Sequence, residues 1–306
     1  MKILISDPLG AEGVSLLKKQ SGYEVDELPG LAKKDLIAKI GRYDALIVRS
    51  ATQADRDVIE AGKKLRVIAR AGVGTDNIDV EAASQRGIVV TNTPDANTLA
   101  AAEHTMAVLL AACRNIPDAH ASVRSGEWSR GKFMGRQLYG KTLGVVGIGR
   151  IGIQVAHRAQ AFGMKLLAYD PFVAEERARE LGLKLVSLAD LLKDSDVVTL
   201  HTPSTEATRG LMSKENLSLM KKSAILVNCA RGDLVDEQAL AAALAKGQIA
   251  GAALDVYKSE PPKDSPLLSA PRVVLTPHHA ASTSEAQAEV SLQIARQVIG
   301  VLSGDK

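Results

Sequence analysis

One stretch limits the possible folds more than any other. Leu143–Asp170 reads LGVVGIGRIGIQVAHRAQAFGMKLLAYD. Leu143, Val145 and Val146 form an apolar, partly β-branched run of the kind that fills a buried strand. Gly147, Gly149 and Gly152 follow at G-x-G-x-x-G spacing, and from Ile151 to Phe162 the apolar residues Val155, Ala159 and Phe162 recur at helical intervals. A second apolar run, Leu166 to Tyr169, ends at Asp170. A lone G-x-G-x-x-G also arises in glycine-rich turns of other α/β domains. Here it follows a strand pattern, opens a helix pattern and is answered by an acid, which is the β-α-β signature of a dinucleotide site.

Each part of that signature has a physical task. Gly147 permits the tight turn, Gly149 carries no side chain to hold a pyrophosphate off the backbone, and Gly152 lets the helix lie close on the strand. The helix start aims free N–H groups and a partial positive charge at phosphates. Asp170 is placed to accept hydrogen bonds from both ribose hydroxyls of an adenosine and to repel a 2′-phosphate, so NAD is expected over NADP.

At 306 residues the chain exceeds the size at which one hydrophobic core usually stops growing, so two domains are expected. Residues 1 to about 92 alternate strand patterns (Lys2–Ser6, Tyr23–Glu27, Asp44–Val48, Arg66–Ala69, Ile88–Val90) with helix patterns such as Ala11–Gln20 and Val80–Arg86. From Leu143 onward there are six strand candidates, the last four being Val197–Leu200, Ala224–Asn228, Ala252–Asp255 and Val273–Leu275. Both halves predict doubly wound parallel sheets covered on two faces. A turn-rich break at Thr93–Asn97 precedes a long Ala- and Leu-rich helix, Thr98–Arg114, limited by Pro117. The amphipathic segment Ser284–Leu302 is expected to cross back to the first half. The predicted architecture is therefore α/β: a flavodoxin-like substrate domain, residues 1–96 with 284–306, and a Rossmann NAD domain, residues 97–283, with a cleft between them.

Net charge is +3 from 38 basic and 35 acidic residues, too even a balance for nucleic acid as a principal partner. Cys113 and Cys229 offer neither a disulfide framework nor metal-ligand spacing, and both read as reduced packing residues. No apolar stretch is long enough to span a bilayer, and the N-terminus MKILISDPLG lacks the apolar core of a signal peptide. A cytoplasmic protein with no metal and no membrane contact is expected.

Ligands of parallel sheets sit outside the carboxyl ends of the strands. In the first half, Arg49-Ser50-Ala51-Thr52 and Arg70-Ala71-Gly72-Val73-Gly74 end two strands, offering a guanidinium, hydroxyls and glycine-exposed N–H groups to an anion; a surface salt bridge and a plain turn are the alternative. In the second half, Asn228-Cys229-Ala230-Arg231, Ser259-Glu260 and Thr276-Pro277-His278-His279 end neighbouring strands. Hydride exchange between a carbinol carbon and a nicotinamide needs a proton carrier, a task that suits histidine, and a fork-shaped cation for a carboxylate, which suits arginine. Chemistry alone leaves His278 and His279 both open, while His104, His120, His157 and His201 read as packing or surface residues. His120–Tyr139 reads as an exposed basic loop around the single tryptophan, Trp128, suited to a partner subunit, an anionic substrate or solvent alone.

Assembled, these segments resemble the D-isomer-specific 2-hydroxyacid dehydrogenase family over nearly the whole chain. The matching stretches are RSAT at Arg49–Thr52, RAGVGTDNID at Arg70–Asp79, the glycine motif with Asp170, HTP at His201–Pro203, NCARG at Asn228–Gly232 and TPHHAAST at Thr276–Thr283. EWSRGKFMG, Glu127–Gly135, is most like the phosphoglycerate-oxidising members. The resemblance implies a catalytic set of Arg231 (substrate carboxylate and carbonyl oxygen), His278 (proton carrier) and Glu260 (its carboxylate partner). It implies cofactor contacts from Val73, Gly147, Gly149, Arg150, Ile151, Gly152 and Asp170. Further cofactor contacts fall on His201, Thr202, Pro203, Cys229, Ala230, Arg231, Asp255, His278 and Ala280. It implies substrate contacts from Arg49, Ser50, Val73, Gly74, Arg231 and His278, with Arg130 and Lys132 reaching the phosphate side from a dimer partner.

The reaction so implied is NAD-dependent oxidation of 3-phospho-D-glycerate to 3-phosphohydroxypyruvate, a step of serine biosynthesis, in a homodimer or higher homo-oligomer. Two other readings stay open on the same layout: a glyoxylate or hydroxypyruvate reductase, and an NAD-sensing, corepressor-like binding protein. Some phosphoglycerate members carry an added regulatory domain, and the end at Lys306 predicts no serine feedback through one.

Overall fold

The computed structural model describes residues 1–304. Its chain contacts divide it into two units, Met1–Thr98 with Ser282–Lys306, and Leu99–Ala281.

The first unit alternates β1 (Lys2–Ile5), α1 (Ala11–Lys18), β2 (Glu24–Glu27), α2 (Lys33–Ile40), β3 (Ala45–Val48), α3 (Arg56–Ala61), β4 (Val67–Arg70), α4 (Val80–Gln85) and β5 (Val89–Asn92). Its five strands are parallel in the order β2-β1-β3-β4-β5, the flavodoxin-like winding. Alternate side chains of the central strands feed opposite cores, as a two-residue repeat requires. Ile3, Ile5, Ala45 and Ile47 join one cluster, and Leu4, Leu46, Val48 and Ile68 the other. Because both faces are covered, the strands read as unbroken apolar runs rather than alternating ones.

The second unit contains most of α5 (Thr98–Cys113), then α6 (Ile116–Arg124), β6 (Thr142–Val146), α7 (Arg150–Ala161), β7 (Lys165–Tyr169), α8 (Glu175–Glu180), β8 (Lys184–Leu185), α9 (Leu188–Asp194), β9 (Val197–Leu200), α10 (Lys214–Leu219), β10 (Ile225–Asn228), α11 (Glu237–Ala245), β11 (Gly251–Leu254) and β12 (Val273–Leu275). Its strands are all parallel, in the order β12-β11-β10-β9-β6-β7-β8. The chain leaves β6 toward β7 and returns to β9 on the other side, so the winding reverses between β6 and β9, where ligands of such sheets bind.

The final helix, α12 (Ser284–Ser303), buries Val290, Ile294, Val298 and Leu302 in one core of the first unit. Thr283 caps it, accepting the Ala286 N–H. Asp55, Asp79, Ser187, Ser213 and Asp236 cap α3, α4, α9, α10 and α11 in the same way.

Three expectations need correction. The second sheet has seven strands rather than six, because the two-residue β8 is too short to carry an apolar signature. Pro117 does not end the long helix. That helix stops at Cys113, Asn115 takes a left-handed conformation, and Pro117 lies in the first turn of α6, where its missing N–H is harmless. The segment His120–Tyr139 is not all loop, since His120 lies within α6 and Arg130–Phe133 forms a 3₁₀ turn.

Candidate active site

The glycine loop joins β6 to α7. Gly147 has φ +89°, and a Cβ there would stand 2.8 Å from the carbonyl carbon of His201, so the turn and the exit of β9 both require glycine. A Cβ on Gly152 would stand 2.2 Å from the Gly147 carbonyl oxygen, which is the close helix–strand approach in atomic terms. Gly149 differs: nothing lies within 4 Å of the position its Cβ would take. It is the N-cap of α7 with no side-chain cap, so the first-turn amides around Arg150 and Ile151 lie beneath open space.

Asp170 follows β7 directly. Its carboxylate accepts the N–H of Ile148 at 3.0 Å and that of Phe172 at 3.0 Å. The acid therefore braces the glycine loop, and each oxygen keeps a lone pair for a ribose hydroxyl. The open cradle over Gly149, the uncapped helix start and this acid fit the pyrophosphate and adenosine ribose of NAD.

The exits of β9 and β10 build the other half. His201 accepts or donates at 2.9 Å to Thr199 Oγ1, and burial holds its imidazole down to about 4, so it is neutral. Thr202 and Pro203 follow in the loop. Buried Asn228 shapes the next turn: its Oδ1 accepts the Ala230 N–H at 3.0 Å and its Nδ2 donates to the Arg231 carbonyl at 2.8 Å. Arg231 Nη1 donates to the Ala230 carbonyl at 2.7 Å. Burial pushes the Cys229 thiol up to about 12, so it remains a thiol at neutral pH.

The exits of β11 and β12 carry the titratable groups. His278 Nδ1 lies 2.6 Å from Glu260 Oε2, and Glu260 Oε1 accepts the Tyr257 N–H at 3.1 Å. The hydrogen bond to Glu260 lifts the His278 imidazole above its ordinary value against the opposing pull of burial. Partial burial pushes the Glu260 carboxyl up, and the bond to His278 outweighs it, leaving the carboxyl below its usual range. His278 itself has φ +48°, a left-handed backbone that a non-glycine residue keeps only where its surroundings hold it.

Asp255 does much of that holding. Its side chain is fully buried and accepts the Thr276 hydroxyl at 2.6 Å, the His279 N–H at 3.0 Å and the Ala280 N–H at 2.9 Å. His104, on α5, brings Nε2 to 3.3 Å from the same carboxylate. Burial pushes this carboxyl up, but the donors outweigh it and bring it down to about 2. Among the described residues His104, Asp255 and His279 are the one cluster with metal-ligand spacing. Asp255 Oδ1 accepts from Thr276 and His279 and Oδ2 from Ala280, so the cluster stands within a hydrogen-bond network.

All the second-unit positions named from the sequence, Arg130 and Lys132 apart, thus stand at the carboxyl edge of one sheet. In the first unit, Arg49 and Ser50 follow β3, and Val73 and Gly74 follow β4, at the carboxyl edge of the other sheet. Asp7, past β1, holds that edge by accepting the N–H groups of Arg49 at 2.6 Å and Thr52 at 3.1 Å. Arg130 and Lys132 lie elsewhere, exposed on the 3₁₀ turn, with Lys132 Nζ 3.2 Å from Glu127. Sequence reasoning missed His104 and Tyr257 as parts of the site, and named Thr276 only as a strand-end residue. His104 sits in an Ala- and Leu-rich helix and gives no motif signal. The Tyr257 hydroxyl donates to the Thr276 carbonyl at 2.8 Å, a partnership no spacing rule marks.

Comparison with known proteins gives a consistent result. Residues 106–280 match the family described as "D-isomer specific 2-hydroxyacid dehydrogenase, NAD binding domain". A D-3-phosphoglycerate dehydrogenase of Methanocaldococcus jannaschii is 52% identical over 306 residues, 100% of this chain. The chain spans 58% of that relative's length. A solved structure of a protein from Thermus thermophilus superposes with a TM-score of 0.93 at 38% identity, covering 100% of this chain and 98% of the other. A D-lactate dehydrogenase of Aquifex aeolicus, complexed with NAD and lactic acid, superposes with a TM-score of 0.88 at 30% identity, covering 100% and 96%.

Proposed function

The chain belongs to the D-isomer-specific 2-hydroxyacid dehydrogenase family, and from that premise we propose that it oxidises 3-phospho-D-glycerate to 3-phosphohydroxypyruvate with NAD. The observation that carries the chemistry is the 2.6 Å bond between His278 Nδ1 and Glu260. It commits one ring nitrogen to the carboxylate and leaves Nε2 as the atom that takes the substrate's hydroxyl proton. Glu260 then balances the imidazolium charge. Arg231 holds the substrate carboxylate through its guanidinium fork and steadies the oxygen as it becomes a carbonyl. Bound NAD supplies the acceptor for the hydride that leaves C2 of the substrate. The α7 amides over Gly149 would hold its pyrophosphate, and Asp170 its adenosine ribose.

We assign Arg49, Ser50, Val73 and Gly74 to holding substrate anions, which makes residues 1–96 with 284–306 the substrate-binding domain and 97–283 the cofactor-binding domain. Support for the phosphorylated substrate comes from the 52% identical relative's name and from the basic side chain Arg49; Arg130 and Lys132 are assigned to the phosphate side only as groups reaching over from a second copy in the proposed homodimer. A homodimer is proposed on the face around α6, which buries no residue of its own, and its neighbours Trp128 and Met134, 77% and 84% exposed. A cytoplasmic setting is proposed as well, supported by the two free cysteines and the proposed use of NAD. The deciding experiment compares kcat/KM for phosphohydroxypyruvate, hydroxypyruvate and glyoxylate with NADH. Preference for the phosphorylated acid is expected; a preference for either other acid reassigns the substrate, and no turnover of any of them removes the dehydrogenase reading.

A further inference from the structure

His278 projects from a five-residue turn, Thr276–Ala280, whose backbone is held on both sides of the histidine. Ahead of it, the Thr276 carbonyl accepts the His278 N–H at 3.1 Å and the Tyr257 hydroxyl at 2.8 Å. Behind it, the N–H groups of His279 and Ala280 bind Asp255. The Thr276 hydroxyl donates to Asp255 Oδ1 at 2.6 Å and ties the two sides together. One further side chain reaches this knot from α5. His104 Nε2 is 3.2 Å from Thr276 Oγ1 and 3.3 Å from Asp255 Oδ1, and its ring stands edge-on to His279, centroids 4.6 Å apart at 88°.

The partners decide which proton His104 carries. Asp255 is an acceptor, and Thr276 has already given its proton to Asp255. Nε2 must therefore carry a hydrogen, shared between the two oxygens. The His104 side chain is 15% exposed, so an apolar replacement leaves both oxygens short of a donor with little water to make up the loss. We propose that His104 is a positioning residue for the proton carrier: its Nε2–H, shared by Thr276 and Asp255, holds the turn that keeps His278 against Glu260. The proposal rests on the dehydrogenase reading for its kinetic part only.

The ionisable groups acting on His278 are Glu260, Asp255 and Arg231, with His279 beside it in the chain. If His104 steadies the turn, its loss weakens the His278–Glu260 bond, and His278 then titrates closer to ordinary imidazole. In His104→Leu, kcat is expected to fall about tenfold to a hundredfold, the scale of a small misplacement of a reacting group, with KM for NAD within about twofold. NMR titration of the His278 ring is expected to move to lower pH. His104→Gln keeps an N–H donor and is expected to recover kcat to within about threefold of the parent. If His104→Leu does not fold, Thr276→Val, which removes the hydroxyl without changing shape, is expected to give the same two changes.

Unchanged kcat and an unmoved His278 titration in a folded His104→Leu or Thr276→Val protein would overturn the proposal, as would a His104→Gln protein as impaired as His104→Leu. A parent protein that turns over no 2-hydroxy acid, while the His278 titration still shifts in His104→Leu, refutes the dehydrogenase reading and leaves the positioning role standing.

Discussion

Glu260→Gln isolates what the carboxylate contributes to the proposed proton transfer. The substitution keeps the shape of the side chain and removes its charge. Two donors face this group, His278 Nδ1–H at 2.6 Å and the Tyr257 N–H at 3.1 Å, each on its own oxygen. A carboxamide offers one oxygen, so one donor faces an NH₂ group and loses its partner. When His278 carries the substrate proton, the lost interaction is a charge-assisted hydrogen bond. Such bonds are worth about 1.5–3 kcal/mol when sheltered and about 0.2–1 kcal/mol as exposed pairs. The two side chains are 48% and 38% exposed, so about 1–2 kcal/mol is appropriate, a fall in kcat of about 5- to 30-fold. The sign of the pH effect is fixed as well. Glu260 lifts the His278 imidazole, and oxidation needs that ring unprotonated. The ascending limb of kcat/KM must therefore shift to lower pH in the variant, even as the maximum rate drops. Initial rates of NADH formation across pH, for the parent and Glu260→Gln, measure both. A limb that stays in place with kcat unchanged would refute the coupling between the two groups.

Asp170→Ala removes the proposed ribose acceptor and the brace on Ile148, so KM for NAD is expected to rise at least tenfold and the preference for NAD over NADP to collapse, read from kcat/KM with each cofactor. Asp255, brought down to about 2, stabilises the fold fully above the ordinary carboxylate value near 4 and loses that contribution as pH falls through about 2. The term is on the order of 2–3 kcal/mol, and acid unfolding of Asp255→Asn, followed by circular dichroism, is expected to be flatter over that window. In the proposed homodimer, Met134→Glu places a charge on the exposed face beside α6 and is expected to shift the protein toward monomer in sedimentation velocity while leaving its helical content intact. Asp7→Ala frees the backbone of the Arg49–Thr52 loop, and a severalfold rise in substrate KM with kcat nearly unchanged is expected from steady-state rates.

Much of the fold was legible because both sheets are buried on two faces. Such strands announce themselves as apolar runs, and Ala45–Val48, Val197–Leu200 and Ile225–Asn228 are buried along their whole length. The glycine motif was legible for a different reason. Gly147 and Gly152 are fixed by steric contact, and steric necessity leaves a residue type behind in the sequence. What stayed hidden has no local pattern. The edge strand β8 is two residues long, and α6 has an amphipathic pattern but packs no side chain into the core. His104 and Thr276 are 172 positions apart, and their contact exists only once α5 lies beside the exit of β12. The chemistry of the turn was likewise only half readable. His278 and His279 are adjacent in sequence, and it is the positive φ at His278 and the reach of Glu260 that set their surroundings apart.

The same device recurs at three strand exits, and it accounts for why the functional loops sit where they do. Asp7 follows β1 and binds N–H groups in the loop after β3. Asp170 follows β7 and binds Ile148 in the loop after β6. Asp255 follows β11 and binds two N–H groups in the turn after β12. In each case the two strands are adjacent and parallel, so both chains end on the same edge, and a short acidic side chain from one spans to the loop of the next. Once a loop passes the last rung of a parallel ladder its amides lose their strand partners, and burying them unpaired would cost about 1–3 kcal/mol each. The carboxylates meet that demand and, by doing so, fix the backbone from which Arg49, the glycine loop and His278 extend. Negative charge at these three exits therefore has a structural task before any functional one. In the proposed function Asp170 puts that charge to a second use, because the carboxylate that steadies the loop retains a lone pair on each oxygen for a ligand's hydroxyl groups.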